Sequence, residues 1–172
     1  TQAWSSAASD VYKRQETLGS IRAMRIIQER NGERGCNRYI ISNCQTIDNI
    51  LELFALHKIC NWDQPTVDII PLFETIPDLK VCVKIMQTLF ENEQYRKHLA
   101  SRGDKQTVML GFSDGTKDGG YFMANWSIYK AKEDLTALSN SHGISVAFFD
   151  GRGGPPALSL IHIWRCRRSG LC

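Results

Sequence analysis

The stretch Val108 to Gly120, VMLGFSDGTKDGG, begins as a short apolar run and changes abruptly to glycines, acidic residues and a lysine. Its counterpart, Phe148 to Pro156, FFDGRGGPP, makes the same change with an arginine. A short apolar run is typical of a buried strand, and glycines beyond it let backbone approach a ligand closely. Because charged loop residues often carry function, both stretches predict a buried strand that opens into a functional loop.

Apolar, β-branched and aromatic runs predict four strands in all, at Tyr39 to Ile41, Val67 to Phe73, Val108 to Phe112 and Ile144 to Phe149. Apolar residues at intervals of three and four predict helices before and between them. The first helix is expected over Glu16 to Glu29, and later ones begin after Thr46, near Pro77 and after a loop from Ser113 to Gly120.

Strands that alternate with helices of ten residues or more indicate parallel pairing through βαβ crossovers. About four units of a β/α barrel fit this pattern, and so does a small doubly wound sheet. Glu74, Asp114, Lys117 and Arg152 all follow the C-terminal ends of predicted strands, where both architectures place their sites. We therefore expect these four side chains to converge on one edge of the sheet.

Composition and charge argue against two classes of protein. No apolar run approaches the roughly 20 residues that span a bilayer, so a membrane protein is not expected. The net charge is +3, but residues 16–157 hold 16 Lys and Arg against 17 Asp and Glu. Because the basic excess lies at the two ends of the chain, a general nucleic-acid surface is not supported.

The two ends of the chain differ in character from the rest. Residues 1–15, TQAWSSAASDVYKRQ, lack a starting Met and a sustained helical period, and residues 158–172, LSLIHIWRCRRSGLC, join a glycine-rich loop to an unrelated apolar and basic run. Both resemble translated sequencing-adapter sequence, so we expect non-native ends around a segment at 16–157. The alternative is a flexible native N-terminus and a short basic tail.

Cysteine and histidine offer no metal signature. The cysteines of the central segment have no CxxC pair and no histidine at ligand spacing, which favours buried free thiols in a reducing compartment; they are Cys36, Cys44, Cys60 and Cys82. His57, His98 and His142 fall within or at the ends of predicted helices, where surface or helix-end roles are expected. Trp126 and Tyr129 are expected to pack their helix rather than to form a stacking platform.

Glu74 and Asp114 are the candidate metal ligands. Carboxylates at the ends of two different strands can hold Mg²⁺ or Mn²⁺ and leave positions for water and substrate oxygens. The alternative for each is a helix cap or an ion pair with a neighbouring lysine.

Lys117 and Arg152 are the candidate anion-binding residues. Lys117 sits among glycines that keep its surroundings open, and Arg152 offers a guanidinium fork suited to phosphate or carboxylate. The alternative for each is a solvated surface cation. Together the four side chains predict a metal-assisted enzyme that acts on a small phosphorylated or carboxylated anion.

Four segments in order carry a resemblance to a known family. They are GSIRAMRIIQERNGERGCNRYIISNCQT, VDIIPLFETIPDL, VMLGFSDGTKDGGYFMANWSIYKAKEDL and ISVAFFDGRGGPPA. From about Glu16 to Ala157 the sequence closely resembles bacterial phosphoenolpyruvate carboxylase. The resemblance implies a fragment of an α/β barrel, embedded in a larger, mostly helical, homotetrameric and cytoplasmic enzyme.

That family carboxylates phosphoenolpyruvate with bicarbonate, yielding oxaloacetate and phosphate and feeding the tricarboxylic acid cycle. The resemblance implies that Glu74 of LFET and Asp114 of SDGTKD coordinate the divalent metal. It places Lys117 of the same motif in the active site and Arg152 of GRGG on the substrate phosphate.

Two departures from the family pattern matter. Some members have His where this chain has Asp150, so proton handling at that position does not carry over. The family continues GGPPA with Arg-Gly-Gly, whereas this chain has Leu158-Ser159-Leu160, so a catalytic Arg expected at Leu158 is missing. We therefore expect no carboxylase activity from the 172 residues alone; the alternative is a non-catalytic anion-binding or assembly remnant.

Overall fold

Alternating helices and strands follow one another along the chain. The computed structural model describes the backbone of residues 2–111 and 113–151, and the side chains of residues 15–111, 117 and 119–151. The elements are α1 (Gln2–Asn31), β1 (Arg38–Ile41), α2 (Ile47–Ile59), β2 (Asp68–Phe73), α3 (Ile76–Glu91), α4 (Glu93–Ser101), β3 (Lys105–Gly111), α5 (Ser113–Ser141) and β4 (Ser145–Gly151), with a short 3₁₀ turn at Glu33–Gly35.

The strands form a parallel sheet in the order β1-β2-β3-β4. A doubly wound sheet reverses its strand order at a switch point, whereas these four strands follow chain order without reversal. The described part is therefore an α/β structure with the arrangement of a partial β/α barrel, which confirms the predicted fold class.

The two faces of the sheet differ in burial. Val108 and Leu110 of β3 are fully buried in the core between sheet and helices, and Phe148 of β4 packs against that core. On the other face Ile40 is 48% exposed and Phe149 is 56% exposed. In a closed barrel that second face would line the interior, so its exposure here follows from the small number of strands.

The junction between β2 and α3, next to Glu74, is fixed by local capping. The Asp78 main-chain N–H donates to Thr75 Oγ1 at 3.3 Å, and the Thr75 N–H donates to Asp78 Oδ2 at 3.0 Å, so the two ends of a capping box are joined. Pro77 occupies the first turn of α3, as predicted. At the far end of α3, the Asn92 side chain caps α4 by accepting from two main-chain N–H groups.

Three predicted boundaries are wrong. The first helix begins at Gln2 rather than Glu16, because a helix can propagate through residues that have no amphipathic pattern once a later turn is formed. The expected loop from Ser113 to Gly120 is largely helical, and only Gly120, at φ 80° and ψ 168°, interrupts α5. Asp150 lies within β4 rather than beyond it.

Two histidines lie deeper than predicted. His57 and His98 are at helix ends but buried, with 0% and 8% of their surface exposed. Burial lowers the pKa of His57, and burial together with the Arg102 guanidinium lowers the pKa of His98 to about 4. Both rings are therefore neutral at physiological pH and serve as packing groups.

Other predictions about side chains fare differently. His142 lies near the end of α5 with its Nδ1 3.0 Å from the Leu138 carbonyl, which confirms the helix-end role. Trp126 and Tyr129 are 53% and 57% exposed and stack on each other rather than pack the helix into the core.

The cysteines of residues 16–151 are free thiols, three of them buried. In the part of the chain that the structure describes, no helix combines the length and apolar character needed to cross a membrane.

Candidate active site at the C-terminal edge of the sheet

Glu74 directly follows the last residue of β2 and is half-buried. The helix-cap alternative does not apply to it, because the cap of α3 is Thr75 and the capping carboxylate is Asp78. Among the residues whose side chains the structure describes, Glu74 has no hydrogen-bond or ion-pair partner. The Glu74 carboxylate therefore lies near the sheet edge and takes no part in capping α3.

Gly111, the last residue of β3, lies against Glu74. A Cβ added at Gly111 would stand 2.9 Å from the Glu74 Cα and 3.4 Å from its Cβ. Only glycine permits this approach, since real Cβ atoms do not come so close to backbone. The end of β3 and the residue after β2 are therefore in direct contact.

A second glycine holds the beginning of α5 near the same place. A Cβ added at Gly119 would collide with the side chain of Ile76, the first residue of α3. The helical segment between the two glycines carries Asp114 and Lys117. Both ends of this segment therefore contact the Glu74 to Ile76 junction.

The four predicted site residues are described to different extents. Glu74 is described in full, and Lys117 is exposed in the second turn of α5. Asp114 lies in the first turn of α5, but its side chain is outside the described residues. Arg152 also lies outside the described residues; it follows Gly151, the last residue of β4.

The register of the sheet relates these positions. Phe73 of β2 pairs with Leu110 of β3, and Gly111 of β3 pairs with Gly151 of β4. The residues that follow β2, β3 and β4 therefore start from one edge of the sheet. This is the edge at which sites of β/α barrels lie.

The sequence reasoning missed one pair of residues at this edge. The Lys132 ammonium lies 2.7 Å from Asp150 Oδ1 and 2.9 Å from Oδ2, and joins α5 to the end of β4. The two residues are 18 positions apart in the sequence and show no local pattern, because the contact exists only when α5 packs on the sheet.

Two buried cysteines of the described core, Cys44 and Cys82, are protonated thiols. Burial, and to a lesser extent the Asp78 carboxylate, raises the pKa of the Cys44 thiol to about 11. Burial also raises the pKa of the Cys82 thiol to about 12. Both thiols therefore stay protonated near neutral pH, and the thiolate required of a nucleophile or metal ligand is not formed.

One described side chain at this edge is of the type that binds a hard divalent cation. Glu74 offers a partly exposed carboxylate, which is the ligand type that Mg²⁺ and Mn²⁺ prefer, and Mg²⁺ commonly keeps several waters beside one or two carboxylates. Within the described residues no group of three or more His, Cys, Asp or Glu could enclose a metal ion. Gly111 contacts Glu74, and Asp114 follows Gly111 by three positions in the sequence.

Comparison with known proteins gives one consistent result. The family model described as phosphoenolpyruvate carboxylase matches residues 5–156. The phosphoenolpyruvate carboxylase of Nitrosomonas eutropha is 45% identical over 147 residues, which cover 80% of this chain and 16% of that protein. That of Corynebacterium glutamicum is 42% identical over 144 residues, with the same two coverages. The chain therefore spans about 16% of the length of the curated relatives it matches.

Proposed function

This chain belongs to the phosphoenolpyruvate carboxylase family, and we propose that the protein of which it is a segment converts phosphoenolpyruvate and bicarbonate to oxaloacetate and phosphate. The observation that carries the proposal is the position of Glu74, whose half-buried carboxylate lies outside the helix cap and against Gly111. The segment that Gly111 introduces holds Asp114 and Lys117.

Each site residue has a distinct role in this proposal. Glu74 and Asp114 hold Mg²⁺ or Mn²⁺, which would supply positive charge to the oxygens that become negative during reaction. Lys117 and Arg152 bind the anionic substrate, and Arg152 takes the phosphate through its guanidinium fork. These roles agree with those that the resemblance implies.

The proposed reaction proceeds in two stages. A bicarbonate oxygen attacks the phosphorus of phosphoenolpyruvate, so the bond from phosphorus to the enol oxygen breaks and carboxyphosphate and the pyruvate enolate are formed. Carboxyphosphate releases carbon dioxide and phosphate, and carbon three of the enolate then bonds to the carbon dioxide. The cationic side chains stabilise the negative charge that develops on the enolate and phosphoryl oxygens.

The setting of the enzyme follows the resemblance. We propose a homotetramer in the cytoplasm, a compartment in which the free thiols of this segment would stay reduced.

An alternative function is a non-catalytic anion-binding or assembly remnant. One feature favours the alternative: Leu158 stands where the family pattern has a catalytic Arg.

Oxaloacetate formation by the full-length protein is the direct test of the proposed function. We expect oxidation of NADH in an assay coupled through malate dehydrogenase, dependent on phosphoenolpyruvate, bicarbonate and a divalent metal, and abolished by EDTA. Binding of metal and phosphoenolpyruvate without any turnover would contradict the proposal and favour the remnant.

Replacement of Gly111 by alanine tests the contact between β3 and Glu74. The added Cβ would stand 2.9 Å from the Glu74 Cα, so one backbone must move. Because a displacement of about 1 Å at a site can cost about a hundredfold in rate, we expect kcat/KM of the full-length enzyme to fall about 10- to 100-fold and the KM for metal to rise. Steady-state kinetics with metal as the varied component measures both.

Gly35→Ala is the matched control for Gly111→Ala. A Cβ at Gly35 would have no atom within 4 Å, so this substitution should leave the kinetic constants unchanged. Equal kinetics for Gly111→Ala and wild type would show that the close approach to Glu74 has no bearing on the site.

A further inference from the structure

A salt bridge between α5 and β4 lies outside the four site residues assigned above. The Lys132 ammonium lies between both carboxylate oxygens of Asp150, at 2.7 and 2.9 Å, and 5.9 Å from the centre of the Phe148 ring. About a third of each charged side chain is exposed, 32% for Lys132 and 33% for Asp150. A pair that is shielded to this degree is less screened by solvent than an ordinary surface pair.

The direction of the Asp150 side chain separates it from the reacting groups. Successive residues of a strand point to opposite faces, and Phe149 is on the open face of the sheet. Asp150 is on the opposite, helix-covered face with Phe148, and its partner in β3 is the fully buried Leu110. A carboxylate that is turned towards α5 and paired with Lys132 is poorly placed to exchange a proton with a substrate.

The salt bridge joins two segments that carry proposed site residues. Asp150 is two positions before Arg152 in the sequence, and only Gly151 separates them. Lys132 belongs to α5, whose first turns carry Asp114 and Lys117. The salt bridge therefore links the helix of one functional segment to the strand that leads into the other.

We propose that Lys132 and Asp150 are positioning residues, which fix the end of β4 against α5 and thereby place Arg152 for binding of the substrate phosphate. This inference rests on the proposed function, because the phosphate is that of phosphoenolpyruvate. In this proposal Asp150 does not transfer a proton; its carboxylate forms a salt bridge that joins β4 to α5. Gly151, next to Arg152, is paired with Gly111 in the sheet but has no side chain, so Asp150 supplies the nearest side-chain contact on this strand.

The test is the steady-state kinetics of Lys132→Met, Asp150→Asn and the double variant in the full-length enzyme. Contacts to the substrate phosphate act in both the ground state and the transition state, so their loss raises KM more than it lowers kcat. We expect the KM for phosphoenolpyruvate to rise about tenfold, with kcat changed less than about threefold. The double variant should be no worse than the worse single one, because the two side chains act as one unit.

Two further variants separate positioning from general stability. Lys130→Met removes a lysine from the same helix that pairs with Glu133 at 2.5 Å on the exposed surface, and it should leave the KM unchanged. Lys132→Arg keeps a cation able to donate to Asp150, and it should keep the KM within about threefold of wild type. A purely structural role would lower the melting temperature and the amount of active enzyme without moving the KM.

Three outcomes would overturn the inference. The first is an unchanged KM for phosphoenolpyruvate in both single variants of an active enzyme. The second is a collapse of kcat at constant KM in Asp150→Asn alone, which would restore a chemical role for that carboxylate. The third is a wild-type full-length protein that forms no oxaloacetate, which refutes the proposed function itself and removes the basis of the inference.

Discussion

Replacement of Glu74 by glutamine in the full-length enzyme is expected to lower kcat by about two to three orders of magnitude. Glutamine keeps the shape of the side chain but exchanges a charged oxygen for a neutral one, which binds Mg²⁺ or Mn²⁺ poorly. The loss should come from chemistry rather than unfolding, because Thr75 and Asp78 provide the cap of α3 without Glu74. The KM for metal should rise in parallel, and kinetics at varied metal concentration measure it.

Glu91→Gln is the control for this variant. Glu91 ends the same helix, is exposed, and accepts a hydrogen bond from Gln87 at 3.0 Å. The same chemical change at this position should leave kcat and the KM for metal unchanged. A Glu74→Gln enzyme with wild-type kcat and wild-type metal dependence would remove Glu74 from the metal site.

The 172-residue chain by itself is expected to form no detectable oxaloacetate. Residues that remain after loss of part of a catalytic constellation give only a small residual rate, and here Leu158 stands where the family pattern has a catalytic Arg. The purified chain and the full-length enzyme should be compared at equal molar concentration in the same coupled assay. Measurable turnover by the shorter chain would contradict the expectation.

The sheet gives a physical reason for that loss beyond one arginine. It has four strands, and its outer strands β1 and β4 each have a single neighbour in the described structure. Unpaired strand edges and apolar side chains such as Phe149, 56% exposed, promote association with other chains. We therefore expect self-association and a broad thermal transition, whereas a monodisperse monomer with one cooperative transition would exclude poor folding as a cause of inactivity.

Local sequence signals were most informative where one side chain acts on its own neighbours. Thr46 and Pro77 mark helix starts as predicted, because caps and proline act within a single turn. The four strands were identified from apolar runs, with end points that differ by a few residues. The predicted loop at Ser113 to Gly120 is wrong because glycines do not by themselves exclude a helix, and within α5 only Gly120 has a non-helical backbone.

The sequence predicted the burial of individual side chains less well, because burial depends on residues far away in the chain. His57 and His98 carry polar rings that favour an exposed position by composition, yet both are buried by the packing of α2 and α4. Trp126 and Tyr129 are apolar at helical spacing, yet they are on the exposed side of α5. Which side of a helix is covered depends on its partner, and that information is not local.

The sequence by itself determined the family, the alternation of strands and helices, and the identity of the candidate site residues, because each of these is encoded in short motifs and local periodicity. The tertiary structure decided that the strands follow chain order, that Gly111 touches Glu74, and that Lys132 holds Asp150 on the helix side of the sheet. These last features join residues far apart in the chain. Their geometry is fixed only when close packing of the sheet and helices selects one arrangement.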